Sequence, residues 1–508
     1  MQDLNSAINE AMSRHNVGVQ ELTNKPLTHF QMLHVLLEGI AEIDWHAEAN
    51  LEHGEKLSDR HVHVITVEQV LKRAHENNWS LCIHNEFLYS YNGQYWEQID
   101  RSVIQALLGC AAEKLGIGKY IARHHQFQKS LVKQFMSAAV LPRPEERGET
   151  VLINLQNGTF EITPNGSRLR EFDRNDFLTY QLPFVYDPVA DAPMFKKFLE
   201  RVQPDENSRK VLSEFLGGVF IKTRNLKLEK ALLLYGDGAN GKSVFYDLMN
   251  ALLGPNNVSS YSLASLMDTT GYYRANLANK LLNYASEITG ELETGMFKQL
   301  TSGEPVPARI IYCAPVTVRD YAKLAFNCNA LPKNVEHTNA YFRRFLIVPF
   351  KVTIPEAEQD RQLAPKIVAA GELSGIFNWV LEGLNRLLLQ KGFTYSDEVS
   401  NELAKYQAES DNVRLFLEER DYVEDLERYI AVKFLSDEYA EFCRTCRYKP
   451  LNHGNFVKRL RGLGVLIEKR NIGLVAFVQR AENLPAPQGV TGTPRTPQTP
   501  HSFFSDHE

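Results

Sequence analysis

The stretch LLLYGDGANGKSVFYDLM (residues 232–249) decides the fold. An apolar run ends in a glycine-rich turn, a Lys-Ser pair follows, and an amphipathic segment begins. Gly236, Gly241, Lys242 and Ser243 have the spacing of a phosphate-binding loop, G-x-x-x-x-G-K-[ST]. Glycines let backbone amides turn toward phosphate oxygens, and the positive end of the next helix faces the same anion. The stretch therefore predicts a strand, a triphosphate-binding turn and a helix.

The chemistry of this turn predicts ATP and Mg²⁺ as cofactors. Lys242 would reach the β- and γ-phosphates, and the Ser243 hydroxyl would bind magnesium. The alternative is a glycine turn that binds nothing, but the strand before it and the helix after it favour a nucleotide. We predict nucleotide contacts along the whole turn: Gly236, Asp237, Gly238, Ala239, Asn240, Gly241, Lys242, Ser243 and Val244.

The composition is that of a soluble globular protein. The chain has 508 residues, of which 44% are hydrophobic and 23% charged, and no 18-residue apolar run predicts a membrane span. Six cysteines, with only Cys443 and Cys446 close together, predict a reducing cytoplasm, that of a host cell. The net charge of −6 gives no global nucleic-acid signature, so DNA contact would need a local basic patch.

The pattern of apolar runs and turns predicts an α/β fold with several domains. Asn92-Gly93 and Asn157-Gly158 are hairpin signals, and residues 66–78 form an amphipathic helical pattern. Apolar strands that alternate with helices predict a sheet covered on both faces. The predicted units are an α+β domain at 1–190, an α/β domain at 191–385, a helical linker at 386–429, a basic unit at 430–480 and a disordered tail at 481–508.

Four polar residues after the turn suggest catalysis. Glu287 ends one predicted strand, where a carboxylate could orient water and hold magnesium together with Ser243. Asn329 ends another and could position the attacking water. Arg343 and Arg344 begin a third, a position suited to an arginine supplied to a neighbouring subunit. Each residue alone could simply cap a turn or be solvated, but their order after the turn favours a nucleotide hydrolase.

The series GDGANGKS, LLNYASE, FKQLTSGEPVPAR, LAFNCNALP and FRRFLIVPF resembles the superfamily 3 helicases of the phage and plasmid primase-helicase group. These are a branch of the AAA+ ATPases, and the resemblance covers roughly residues 150 to 480. It implies an AAA+ P-loop core in a homo-oligomeric ring, usually a hexamer. Such a ring hydrolyses ATP between subunits and moves along single-stranded or forked DNA, typically 3′ to 5′.

The resemblance also assigns roles to single residues. It makes Glu287 the acidic residue of the second motif, Asn329 the sensor, and Arg344 the preferred arginine finger, with Arg343 second. Lys298 stands where the family keeps a lysine near the subunit interface. Lys242 and Ser243 are the P-loop pair. One departure is Ser286, which occupies a position that is acidic in many relatives.

The segment ARIIYCAPVTVRDYAK should form the hairpin that grips DNA in the pore of such a ring. Cys313 and Ala314 stand where relatives often carry a basic residue. Arg309, Arg319 and Lys323 become the candidate DNA contacts, and their alternative is a set of solvated hairpin charges.

A primase site is not evident in the sequence. The first 190 residues offer only DRND at 173–176 in a predicted loop, whereas a primase needs paired carboxylates on strands. The pair Cys443 and Cys446 lacks a second pair of zinc ligands. We therefore expect a separately encoded primase and host replication proteins as partners.

The segment 430–480 reads as helix, helix and hairpin, a winged-helix pattern. Between Arg444 and Arg470 there are eight lysines and arginines and a single acid, Glu468. A ring-packing role is the alternative to DNA contact. The candidate DNA contacts are Lys458, Arg461, Lys469 and Arg470.

The sequence thus favours a replicative DNA helicase of a phage or mobile element. The main alternative is an origin-binding initiator whose ATPase switches assembly rather than unwinding. A protein-remodelling machine is a further alternative, because Tyr312 could serve as an aromatic pore residue.

Overall fold

The structure is a computed structural model that describes residues 27–52, 55–140, 148–286, 288, 294–310, 315–332, 335 and 337–481. The predicted tail lies outside these ranges except for its first residue.

The N-terminal domain packs helices against a small antiparallel sheet. Capping boxes at Thr28 and Ser58 start its two N-terminal long helices. Its elements are α1 His29–Glu38, α2 Trp45–Glu48, α3 Asp59–Glu76, β1 Ser80–His84, β2 Phe87–Tyr91, β3 Trp96–Ile99, α4 Arg101–Lys114, α5 Lys119–Ala122 and α6 His125–Ala138. The predicted amphipathic helix lies largely within α3.

Both predicted hairpins are confirmed. β2 pairs with β3 around the Asn92-Gly93 turn, where the Asn92 side chain accepts hydrogen bonds from the amides of Gln94 and Tyr95. The second hairpin joins β4 Val151–Leu155 to β5 Gly158–Thr163, and β6 Gly166–Arg170 completes that sheet.

The second small sheet shares a hydrophobic core with the central domain. Its residues from Val151 to Phe184 belong to the cluster that extends to Val399, and the rings of Phe184 and Phe377 lie 5.5 Å apart. The predicted boundary at residue 190 therefore does not coincide with a break in packing. The apolar face of this sheet is covered by helices that follow it in sequence, which the local pattern could not reveal.

The central domain is a five-stranded parallel sheet with helices around it, as the α/β prediction required. The strand order is β13-β7-β12-β9-β8. The elements are α7 Pro193–Val202, α8 Glu206–Gly218, β7 Ala231–Tyr235, α9 Lys242–Leu253, β8 Val258–Ser259, α10 Leu263–Leu266, α11 Tyr272–Ala275, β9 Leu282–Ala285, α12 Thr294–Ser302, β10 Val306–Arg309, β11 Pro315–Val318, β12 Lys323–Cys328, α13 Asn339–Phe342, β13 Phe345–Pro349, α14 Leu363–Ala369, α15 Leu373–Gln390 and α16 Asp397–Glu409.

The strand order brings three candidate positions to one edge. β12 lies between β7 and β9, with Cys328 in register with Tyr235 and Phe326 with Ala285. Because parallel strands end at the same edge, the segments after β7, β9 and β12 meet there.

The C-terminal unit has its own core, from Val413 to Val478. Its elements are α17 Asn412–Glu419, β14 Tyr422–Glu424, β15 Ile430–Ala431, α18 Val432–Cys446, α19 His453–Gly462, β16 Ile467–Arg470, β17 Gly473–Ala476 and β18 Val478–Arg480. The predicted helix, helix and hairpin are present in that order as α18, α19 and β16–β17.

The predicted linker 386–429 is divided between two cores. Tyr406 on α16 is buried beside β13, and its hydroxyl lies 3.3 Å from that of Tyr341. Residues from Val413 onward pack in the core of the C-terminal unit. An ion pair between Arg459 Nε of that unit and Asp411 Oδ2 of the predicted linker, at 2.8 Å, joins the two segments.

Within the described ranges, no single helix is long and apolar enough to cross a membrane. One pair of helical segments joined at a bend, 356–369 with 373–390, has the length and composition of a span when the two are taken together.

Candidate nucleotide-binding site

The turn between β7 and α9 requires glycine at two positions. Gly236 has φ +154°, and a Cβ there would lie 2.3 Å from the carbonyl oxygen of Phe350. Gly241 has φ +87°, and its Cβ would lie 2.7 Å from Val202 Cγ1. Other residues would be both strained and in collision at these positions. The backbone thus forms a narrow turn that packs tightly on its inner side.

The ammonium of Lys242 is held inside this turn. Its Nζ donates hydrogen bonds to the carbonyl oxygens of Gly236 (2.5 Å) and Asp237 (2.8 Å) and to Asn240 Oδ1 (3.2 Å). The residue is buried, and this burial lowers the pKa of the ammonium. A buried cation that is bonded only to neutral oxygens is an environment that favours an anionic ligand.

Asn240 links the turn to the segment that follows β13. Its buried side-chain Nδ2 donates to the carbonyl oxygen of Phe350 at 3.0 Å, and the amide of Ile354 donates to the carbonyl oxygen of Ala239 at 2.8 Å. The chain that leaves β13 therefore fixes the turn. Sequence reasoning missed Phe350 and Ile354, because they act through backbone atoms and leave no side-chain signal.

Helix α9 begins at Lys242 and points its amino end into the turn. The N-cap residue is Gly241, which offers no side-chain cap for the first amides. Ser243 is exposed on the first turn, and Val244 is half-buried against the core. Asp237, Gly238 and Ala239 form the exposed outer side of the turn. The amino end of a helix, a buried ammonium and an exposed hydroxyl together fit a triphosphate.

Asn329 follows the residue that is bonded to this turn, and its predicted sensor role stays a prediction. It is exposed and directly follows β12, and the carbonyl oxygen of the preceding Cys328 accepts a hydrogen bond from the Gly236 amide at 3.2 Å. Ser286, which follows β9, is also exposed.

Glu287 lies outside the described residues, so its predicted catalytic and metal-binding roles stay predictions. Within the described ranges, no group of three or more His, Cys, Asp or Glu side chains could hold a metal ion. Ser243 is thus the described member of the predicted magnesium pair.

The two candidate arginines differ in exposure: the preferred one, Arg344, is buried, and Arg343 is exposed. Arg344 is 7% exposed, and its guanidinium donates to Ser302 Oγ at 3.1 Å and to the carbonyl oxygen of Ala340. Arg343 keeps 56% of its side chain exposed and lies 3.4 Å from Glu229. A residue that serves a neighbouring subunit must reach out of its own chain. Arg343 is therefore better placed than Arg344 for this role, which stays a prediction for either residue.

The two strands of the predicted hairpin are present, and its role in a pore stays a prediction. β10 pairs with β11 in antiparallel fashion, from Val306 opposite Val318 to Arg309 opposite Pro315. The tip, with Tyr312, Cys313 and Ala314, lies outside the described residues. Arg309 and Arg319 are exposed, and the Arg309 guanidinium lies 5.9 Å from the centre of the Tyr272 ring.

Lys323 does not belong to this hairpin. It is the first residue of β12 in the central sheet, its Nζ lies 3.1 Å from Thr223 Oγ1, and burial lowers its pKa. Lys323 is thus corrected to a structural position. Lys298 is half-buried on α12.

Three of the four candidate residues of the basic C-terminal unit are exposed and make no ion pair within the described residues. Lys458 is exposed on α19 on the side opposite the buried Phe456 and Leu460, and Arg461 is exposed at the border of the buried side. Lys469 is exposed on β16. By contrast, the Arg470 guanidinium pairs with Glu468 at 2.7 Å and lies 5.8 Å from the Tyr429 ring and 5.7 Å from the Phe477 ring. Arg470 is thus already engaged within the chain.

Two family models match parts of the chain. Residues 68–204 match the family described as D5 N terminal like. Residues 234–344, which run from the end of β7 to Arg344, match a family of unknown function, DUF5906.

The curated relatives are viral proteins named "Putative helicase". One from Acanthamoeba polyphaga mimivirus is 27% identical over 216 residues, which is 39% of this chain and 22% of that protein. One from Invertebrate iridescent virus 3 is 24% identical over 308 residues, 53% of this chain and 32% of that protein. One from Frog virus 3 is 27% identical over 167 residues, 31% of this chain and 17% of that protein. The matched segments span about a third or less of these relatives, and the chain is related to viral proteins that carry a helicase name.

Among solved structures, the apo C-terminal region of NrS-1 is similar to this chain. One crystal form has 13% identity and a TM-score of 0.45 and covers 81% of this chain and 98% of that one. A second has 15% identity and a TM-score of 0.42, covering 83% and 99%.

Proposed function

We propose that this chain is an ATP-dependent DNA helicase that serves replication of a phage or other mobile element. The observation that carries the proposal is the buried Lys242 ammonium, enclosed by a glycine turn at the carboxyl edge of a parallel sheet. The helicase names of the viral relatives support the same activity. The series of motifs in the sequence resembles that of superfamily 3 of the AAA+ ATPases and supports the same proposal.

The proposed cofactors are ATP and Mg²⁺. The backbone amides of the turn that follow Gly236 and the Lys242 ammonium would bind the phosphates, and Ser243 with Glu287 would hold the metal. ATP supplies a phosphoanhydride bond whose hydrolysis releases the energy for movement, and magnesium neutralises phosphate charge. This chain then has to orient water, which we assign to Glu287 and Asn329.

The proposed assembly is a ring, most simply a hexamer, with the site completed by a neighbour. Arg343 extends from the start of β13 and could reach the nucleotide of the adjacent subunit, where an arginine stabilises the charge of the transferred phosphoryl group. The hairpin β10–β11 would contact single-stranded DNA through Arg309 and Arg319, and the ring would move 3′ to 5′. A separate primase and host replication proteins would act with it in the cytoplasm of the host cell.

ATP hydrolysis by the purified protein tests this proposal. Turnover should rise strongly with single-stranded DNA, because strand movement and hydrolysis are coupled. The proposal would be contradicted if single-stranded DNA did not change the rate of ATP hydrolysis and the protein also displaced no strand from a forked substrate.

An origin-binding initiator is the second candidate, favoured by the exposed Lys458 and Arg461 on α19. A helix that presents cations away from its buried side can lie in a DNA groove. This candidate predicts tight binding to one duplex sequence and no strand displacement. Footprinting on the replication region of the element, combined with the fork assay, separates the two functions.

A further inference from the structure

Residues 114–140 of the N-terminal domain contain no aspartate or glutamate. The same segment carries five basic side chains, Lys114, Lys119, Arg123, Lys129 and Lys133, and the pair His124-His125. A chain with a net charge of −6 thus concentrates positive charge in one stretch far from the P-loop in sequence. Such a local bias is the electrostatic footprint of phosphate binding.

This segment borders a groove of about 410 Å³ between α3 and the α5–α6 region. The lining includes Tyr120, Ile121, His124 and Phe127, with His63 on the side of α3. Tyr120 is 91% exposed and Ile121 is 59% exposed. An aromatic ring so fully presented to solvent contributes little to the core, and its large apolar face is available to a partner.

One polar atom in this groove has no partner. His63 packs against the Phe127 ring at 4.9 Å, and its Nε2 makes no hydrogen bond within the described residues. The pKa of His63 lies below its ordinary value, because the effect of burial outweighs the opposite effect of the Asp59 carboxylate.

The cations near the groove fall into two groups. Arg123 is bound to Glu113 through its Nε at 2.9 Å, and Lys114 lies 3.5 Å from Glu38, so these two are neutralised. Lys119, Lys129 and Lys133 are exposed and make no ion pair within the described part of the chain. Lys129 and Lys133 are four residues apart on α6 and so share one face of that helix. The groove lining also includes one acidic side chain, that of Asp59.

We propose that this groove is a single-stranded DNA site, with a base stacked on Tyr120 and phosphates bound by Lys129 and Lys133. Exposed aromatic rings beside cations are how proteins hold single strands without reading sequence. A duplex does not fit this chemistry, because its base faces are covered by neighbouring bases. An acidic protein partner would use the lysines but would have no need for the open ring face.

The site goes beyond the proposed function, since it needs neither the P-loop nor a ring. On the N-terminal domain, it would hold a strand outside the ATPase and deliver it to the motor. It therefore predicts DNA binding in the absence of nucleotide.

Photo-crosslinking of the full chain to an oligonucleotide that contains 5-iodo-2′-deoxyuridine tests the site directly. Without nucleotide, we expect an adduct on the peptide that carries Tyr120, competed by unlabelled single strands but not by duplex. The adduct should persist in Lys242→Ala, so its failure is distinguishable from failure of the P-loop assignment. Adducts confined to other regions, or equal competition by duplex, would overturn the site.

Affinity measurements sharpen the test. By fluorescence anisotropy, Tyr120→Ala should weaken oligo(dT) binding by about fivefold or more, whereas Tyr120→Phe should retain it because the ring remains. Tyr395→Ala is the matched control, since Tyr395 is another exposed tyrosine, 69% exposed. The double variant Lys129→Ala/Lys133→Ala should reduce the salt slope of binding by about 1.4, the value for two phosphates of a single strand. An unchanged slope, or equal affinity of Tyr120→Ala and wild type, would refute the proposal.

Discussion

The phosphate-binding turn and the cationic surfaces of this protein are organised in opposite ways. Lys242 is buried, and its ammonium is fixed by three oxygen acceptors before any ligand arrives. Lys458 and Arg461 are exposed on α19 and make no ion pair within the described residues. A group that acts on a reacting bond must be positioned in advance, whereas a polymer with many phosphates can be held by mobile cations. Substitutions in the two regions should therefore fail in different ways.

The largest effect is expected for Lys242→Ala. Loss of the one ammonium in the turn removes the charge that faces the phosphates, so ATP turnover should fall by roughly 10³-fold or more. Phosphate release measures it, and Lys366→Ala, a surface lysine paired with Asp360, is the control. Turnover within tenfold of wild type would remove the nucleotide assignment.

The two arginines before β13 should separate activity from stability. Arg343→Ala should lower turnover by about 10³-fold while leaving the unfolding midpoint unchanged, because its side chain is exposed. Arg344→Ala should instead lower the free energy of unfolding by about 1–3 kcal/mol, since it leaves Ser302 without its buried partner. Denaturant titration and turnover on both variants decide the matter. A stable Arg344→Ala protein without activity would restore the original preference.

Gly236→Ala should damage the turn itself. The new Cβ would lie 2.3 Å from the Phe350 oxygen, and the backbone has φ +154°, so we expect a loss of about 2 kcal/mol or more in unfolding free energy together with nucleotide affinity. Gly238→Ala is the matched control, because no atom lies within 4 Å of its Cβ position. Thermal unfolding with and without ATP measures both variants, and equal behaviour would show that the turn is not constrained.

A smaller effect is expected at the hairpin. Arg309→Ala with Arg319→Ala should reduce stimulation of ATP turnover by single-stranded DNA by roughly threefold to tenfold and leave basal turnover intact. Lys323→Ala, in the sheet, should change stability and not DNA stimulation. The reverse pattern would return Lys323 to the DNA contacts.

The smallest effect concerns the C-terminal unit. Lys458→Ala with Arg461→Ala should lower the salt slope of duplex binding by about 1.8, the value for two duplex phosphates, with ATP turnover unchanged. Binding measured over a range of salt concentrations tests it. An unchanged slope would favour the ring-packing role of this unit.

Much of the fold could be predicted because it depends on short-range patterns. The glycine turn, the hairpins at Asn92-Gly93 and Asn157-Gly158 and the helix α19 are each encoded within about a dozen residues. The packing of residues 151–184 into the core of the central domain could not be predicted, because the helix that covers them comes some 200 residues later. The acid-free segment 114–140 was visible as composition, but the exposure of Tyr120 was not.

The sequence alone predicted the glycine turn between a strand and a helix, because its glycines, lysine and serine lie close together and their spacing specifies the backbone. It also determined that strands and helices alternate around a parallel sheet. Only the tertiary structure decided the order β13-β7-β12-β9-β8, which brings Asn329 beside Gly236. It also decided which of two adjacent arginines is buried, since burial depends on Ser302 and Ala340 from other turns of the chain. Spacing along the chain fixes local geometry, whereas exposure is set by distant segments that pack against it.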